Sequence, residues 1–64
     1  MSKKELKNLI LEKKSNELYN RYFNCVQVNI MNLGKIDKAI RVIILSSNDI
    51  DKDMKNLVSS YRVN

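Results

Sequence analysis

The chain predicts an all-α protein, and three observations carry that expectation. Its 64 residues include one glycine and no proline, too few of either for the turns of a β fold. The most apolar run, residues 36–45, does not alternate, because Val42, Ile43, Ile44 and Leu45 follow one another unbroken. The remaining apolar residues recur at helical spacing on three separate stretches. The expected architecture is a long N-terminal helix over 3–31, a turn at Gly34, a short buried central helix over 35–45 and an amphipathic C-terminal helix over 48–62. All lie in one small helical domain, residues 1–64, its bundle completed by dimerisation.

The first helix opens on Ser2-Lys3-Lys4-Glu5, a capping-box pattern with Ser2 as N-cap and Glu5 three residues into the helix. Leu6, Leu9 and Ile10 form a first apolar patch, one turn apart. After a polar step the apolar set becomes Leu18, Tyr22, Val26 and Ile30, flanked by Tyr19 and Phe23, on a side about 180° from the first patch. Either the helix breaks near residue 15, with Ser15 capping a new helix, or it continues and Leu11 and Ser15 join the later stripe. The continuous helix is preferred, since no Gly or Pro stands between. A rival strand over 25–31 draws on the alternation of Val26, Gln27, Val28, Asn29 and Ile30. It lacks an alternating partner, and a lone two-stranded hairpin is marginal in water.

Gly34 is expected to end the first helix in a left-handed conformation, which glycine adopts cheaply. On the central helix Asp37, Lys38 and Arg41 share one narrow arc, and apolar residues fill about 200° opposite, broader than the stripe of an ordinary surface helix. This breadth predicts burial against more than one neighbour. Ser47 or Asn48 is expected to cap the third helix, whose Asp49, Asp51 and Asp53 complement its N-terminal dipole. Ile50, Met54, Leu57, Val58 and Tyr61 form its apolar stripe, with Arg62 near its end. The expected core is thus Leu18, Tyr22, Val26, Ile30, Ile36, Ile40, Ile43, Ile50, Met54, Leu57, Val58 and Tyr61.

Composition narrows the function classes. A domain of this size buries only about 60% of the surface that its unfolded chain exposes, so an isolated core is marginal. With one cysteine and no histidine, neither an intrachain disulfide nor a tetrahedral N/S zinc site can reinforce it. Self-association is the remaining reinforcement, which makes a homodimer or larger homo-oligomer the expectation. The lone cysteine and the absence of a membrane-length apolar run or signal-type leader suit a cytoplasmic, reducing location without a membrane partner. A chain without threonine that leans on Lys, Asn and Ile suggests AT-rich coding DNA, as in a virus, a plasmid or a low-GC bacterium.

Candidate sites are few. Asp49, Asp51 and Asp53 resemble the start of a calcium loop, but its glycine position holds Met54 and its bidentate-glutamate position holds Ser60, so no metal is expected. Cys25 has no histidine to activate it and reads as a small buried hydrophobe. Gly34-Lys35 is no phosphate loop, and helices 2 and 3 lack the turn and polar reading helix of a helix-turn-helix. With no catalytic or cofactor-binding residue to name, no enzyme and no cofactor are expected.

Two surfaces remain. The net charge is +5, and five lysines against Glu5 and Glu12 give residues 1–14 an excess of +3. On a continuous first helix Lys3, Lys7, Lys14 and Arg21 project within about 40° of one another. That stripe could meet nucleic-acid phosphates or an acidic partner. The apolar patch Leu6, Leu9 and Ile10 exceeds what the helices need among themselves and is the expected protein-binding surface. The leading expectation is a non-catalytic regulator or adaptor that binds a protein through its helices, as a homodimer. The alternative is a small basic nucleic-acid-binding protein.

Overall fold

The computed structural model describes residues 1–24, 26 and 28–61, so the sequence expectations for Cys25, Gln27, Arg62, Val63 and Asn64 lie outside the described residues. The fold is all-α, with α1 over Lys3–Phe23, α2 over Ile30–Ser46 and α3 over Ile50–Tyr61. No strand occurs among the described residues.

Each helix begins on a side-chain oxygen that accepts an early amide, as short polar residues at N-caps do. Ser2 Oγ accepts from the Glu5 amide at 3.2 Å and starts α1. Asn29 Oδ1 accepts from the Met31 amide at 3.1 Å and starts α2. Asp49 Oδ1 accepts from the Lys52 amide at 3.1 Å and starts α3. The cap of α3 is therefore Asp49, not Ser47 or Asn48. Ser47 instead supports the cap, its Oγ accepting from the Asp49 amide at 3.2 Å and donating to Asp53 Oδ2 at 2.5 Å.

Two sequence expectations fail between residues 23 and 35. The first helix ends at Phe23 instead of running to 31, and Gly34 is not a turn but the fifth residue of α2, with no positive φ. The cause lies in the intervening residues. Val26 and Val28 lose side-chain freedom in a helix, and Asn29 competes for backbone amides and favours a cap. Asn29 therefore restarts the helix five residues before Gly34. The central helix is correspondingly longer than the expected 35–45, and the third begins at Ile50, two residues after the expected 48.

α1 runs unbroken through Ser15. It packs antiparallel to α2, since Ser15 meets Asp37 while Glu12, one turn earlier, meets Arg41, one turn later. α3 closes the third side. The core is Leu18, Phe23, Ile36, Ile40 and Met54, with Tyr22, Val26, Ile43, Ile50, Leu57, Val58 and Tyr61 half-buried around it. Ile30 is a correction: it is 83% exposed, because the helix it was placed on stops seven residues earlier. Phe23 takes the central place that the stripe assigned to its neighbours, and its ring stacks on that of Tyr19 at 5.6 Å.

The molecule measures 44 × 26 × 16 Å, an elongated and thin shape that leaves room for only a small set of fully buried residues. None of the first 14 residues is buried, and Leu11 alone among them is half-buried. The N-terminal turns of α1 thus reach beyond the core, flanked only by the end of α2.

Candidate functional site

Two clusters of side chains stand out, one holding α1 to α2 and one left open beyond it. The first begins with Ser15, which is 1% exposed and is the buried polar residue of the core region. Its hydroxyl donates to Asp37 Oδ1 at 2.9 Å. The second carboxylate oxygen, Oδ2, accepts from Arg41 Nε at 3.0 Å, and Arg41 Nη2 reaches Glu12 Oε1 at 3.7 Å. The Ser15 hydrogen bond holds the Asp37 carboxyl below its ordinary value, and Arg41 adds to this against the opposing effect of burial. No buried side-chain polar atom is left without a partner among the described residues. The network joins Ser15 and Glu12 of α1 to Asp37 and Arg41 of α2, and so ties the two helices together at this level.

The second cluster is an open groove of about 520 Å³ between the first half of α1 and the last turn of α2. Its lining is Lys4, Lys7, Asn8, Ile10, Leu11 and Lys14 from α1 with Ile44 and Leu45 from α2. Ile10 remains 62% exposed and Leu45 65% exposed, although each stands beside the other helix. The groove exists because α2 ends there. The last helical bond runs from the Ser47 amide to the Ile43 carbonyl at 2.9 Å, and Ser47 itself is extended, so the chain leaves the helix there.

The expected partner-facing patch divides. Leu6 and Leu9 are 52% and 49% exposed and lie outside the groove, on the outer side of α1, whereas Ile10 belongs to its lining. The basic stripe divides as well. Lys7 and Lys14 stand on the groove wall, and Lys3 is exposed near the start of α1. Arg21 lies over the Tyr22 ring, 5.4 Å from its centroid. The Tyr22 hydroxyl donates to the Asp51 carboxylate. That bond is the main cause raising the Tyr22 phenol above its ordinary value, aided by burial, and the main cause lowering the Asp51 carboxyl, aided by the charges of Arg21, Lys55 and Lys14. Arg21 thus lies within electrostatic reach of Asp51 at the start of α3.

Sequence reasoning missed Lys4, Leu11, Ile44 and Leu45 as a joint surface. Lys4 and Leu11 fall seven residues apart, the interval that returns to the same helix side, but only the antiparallel pairing reveals that Ile44 and Leu45 face them. It also read Ser15 as a helix breaker or stripe member instead of a buried donor. The i, i+4 order of Asp37 before Arg41 was the available signal for that network.

Among the described residues, no group of three or more His, Cys, Asp or Glu side chains is placed to hold a metal ion. No described helix is long and apolar enough to cross a membrane. No protein-family model, curated protein or solved structure matches this chain significantly.

Proposed function

We propose that this protein is a non-catalytic regulator or adaptor that acts through helix-mediated contacts with other proteins, as a homodimer in a reducing cytoplasm. The observation that carries the reading is the exposure of Leu6, Leu9 and Ile10 on a helix whose other side is already packed on α2. Solvent-exposed leucines grouped on one side of a helix mark an association surface. A core of five apolar residues in so thin a molecule gives the chain a reason to pair.

Magnitude sets the expected strength. Each of these side chains is about half exposed, so covering it regains about 1 kcal/mol of the roughly 1.5–3 kcal/mol for full burial. Six such side chains across a two-fold interface barely exceed the smallest estimated cost of association, about 4 kcal/mol. The surplus of about 2 kcal/mol corresponds to a dissociation constant of tens of millimolar, so pairing across the micromolar to millimolar range draws on further contacts around this patch and is expected to depend on concentration there. Sedimentation equilibrium over that range should return a dimer at the upper end, and Leu9→Asp should return a monomer with unchanged helix content. A wild-type monomer throughout would refute the homodimer.

The second reading, nucleic-acid binding by Lys3, Lys7, Lys14 and Arg21, draws on the exposure of all four. It is weakened by the proximity of Asp51 to Arg21 and Lys14, which offsets part of their charge. Mobility shift of duplex DNA and of RNA should show steep loss with salt under this reading. No shift at low salt removes it.

A further inference from the structure

We propose that the groove between the first half of α1 and the end of α2 is a docking site for an acidic amphipathic helix of another protein. This rests on the reading of the chain as an interaction module, and it names the partner's chemistry. It does not require the homodimer.

The groove has an apolar floor and a basic rim. Leu11 and Ile44 lie at its base, Leu45 at its edge, and Lys4, Lys7 and Lys14 along the α1 wall. From Lys4 to Lys14 that wall is about 15 Å long at 1.5 Å per helical residue. This accommodates nearly three turns of a partner helix, the length over which i, i+3/i+4 and i+7 anchors are presented.

Charge selects the occupant. Three lysines and no acid line the groove, so a helix with an apolar row flanked by glutamates or aspartates is complementary along its length. A second copy of this chain is not. Of its seven acids, five are engaged within the molecule: Glu12 and Asp37 in the α1–α2 network, Asp51 with Tyr22, Asp53 with Ser47 and Asp49 at its cap. A bare polyanion is also a poorer match, because it leaves Leu11, Ile44 and Leu45 unused.

The test uses a fluorescent helical peptide with leucines at i, i+3, i+4 and i+7 flanked by glutamates, titrated with the full chain. Three other probes are a scrambled peptide of the same composition, duplex DNA and phosphatidylserine vesicles. Saturable binding of the amphipathic peptide is expected, reduced about tenfold or more by Leu45→Asp and by Lys7→Glu with Lys14→Glu, at unchanged helix content. The doubly reversed protein should instead bind a peptide carrying lysines in place of glutamates, a rescue that misfolding cannot produce. The proposal is overturned if the scrambled peptide binds equally, or if DNA or vesicles bind and the amphipathic peptide does not. No binding of the amphipathic peptide at low salt overturns it too. Sedimentation of the same samples separates this from self-association: Leu9→Asp should alter the mass and spare peptide binding, and Leu45→Asp the reverse.

Discussion

Replacing Gly34 with alanine is expected to stabilise this protein. Gly34 lies in the body of α2, is exposed, has no positive φ, and an added Cβ would meet no atom within 4 Å. Glycine inside a helix costs about 0.5–1 kcal/mol relative to alanine, mainly because the unfolded chain has more conformations to lose. No native contact is lost in exchange. For a domain of this size each kcal/mol moves the melting midpoint by about 4–8 °C, so Gly34→Ala should raise Tm by roughly 2–8 °C. Helical circular dichroism during heating, with urea titration as a second axis, measures both midpoint and cooperativity. The alternative has the opposite sign. A glycine closing a helix in the left-handed conformation would make alanine strained and lower the midpoint. A lowered Tm would therefore refute the placement of Gly34 within α2.

Two further predictions concern the polar contacts. Ser15→Ala removes a buried donor but leaves Asp37 partly solvated, so the loss should be about 0.5–1.5 kcal/mol in urea denaturation. Because the folded Asp37 carboxyl lies below its ordinary value, its contribution is fully present above that value and disappears as pH falls through the folded one. Acid titration of Tm should therefore be shallower in Asp37→Asn than in the wild type, and equal slopes would contradict the assignment. Asp49→Ala removes the cap of α3 and should cost about 0.5–2 kcal/mol, read as a lower urea midpoint, whereas Asn48→Ala should be nearly silent.

The helical class was legible because it follows from composition and spacing, which act locally. Ser2 announced the start of α1, and the stripe on α3 marked the face that is packed around Met54. The errors gather where two local signals compete. Gly34 offers a helix end and Asn29 a helix start, and spacing alone gives no scale for choosing between them. In the structure the Asn29 cap, bonded to the Met31 amide, is the signal that prevails. Once the break moved, Ile30 left the core and Phe23 entered it. The groove was illegible for another reason: its walls come from residues some thirty positions apart, and their meeting depends on how far α1 has slid along α2. Ser15, Asp37 and Arg41 bridge the helices at that register, and because all three are polar none was counted with the core.

The position of that network has an evolutionary consequence. The residues that determine the fold and register, from Glu12 to Phe23 on α1 and from Ile36 to Arg41 on α2, occupy one part of the molecule, and the open lining occupies the other. Substitutions at Lys4, Lys7, Ile10 or Leu45 can therefore accumulate without being filtered by stability. On the proposed docking role, a lineage carrying this scaffold could exchange one groove chemistry for another by single substitutions while retaining the fold at each step.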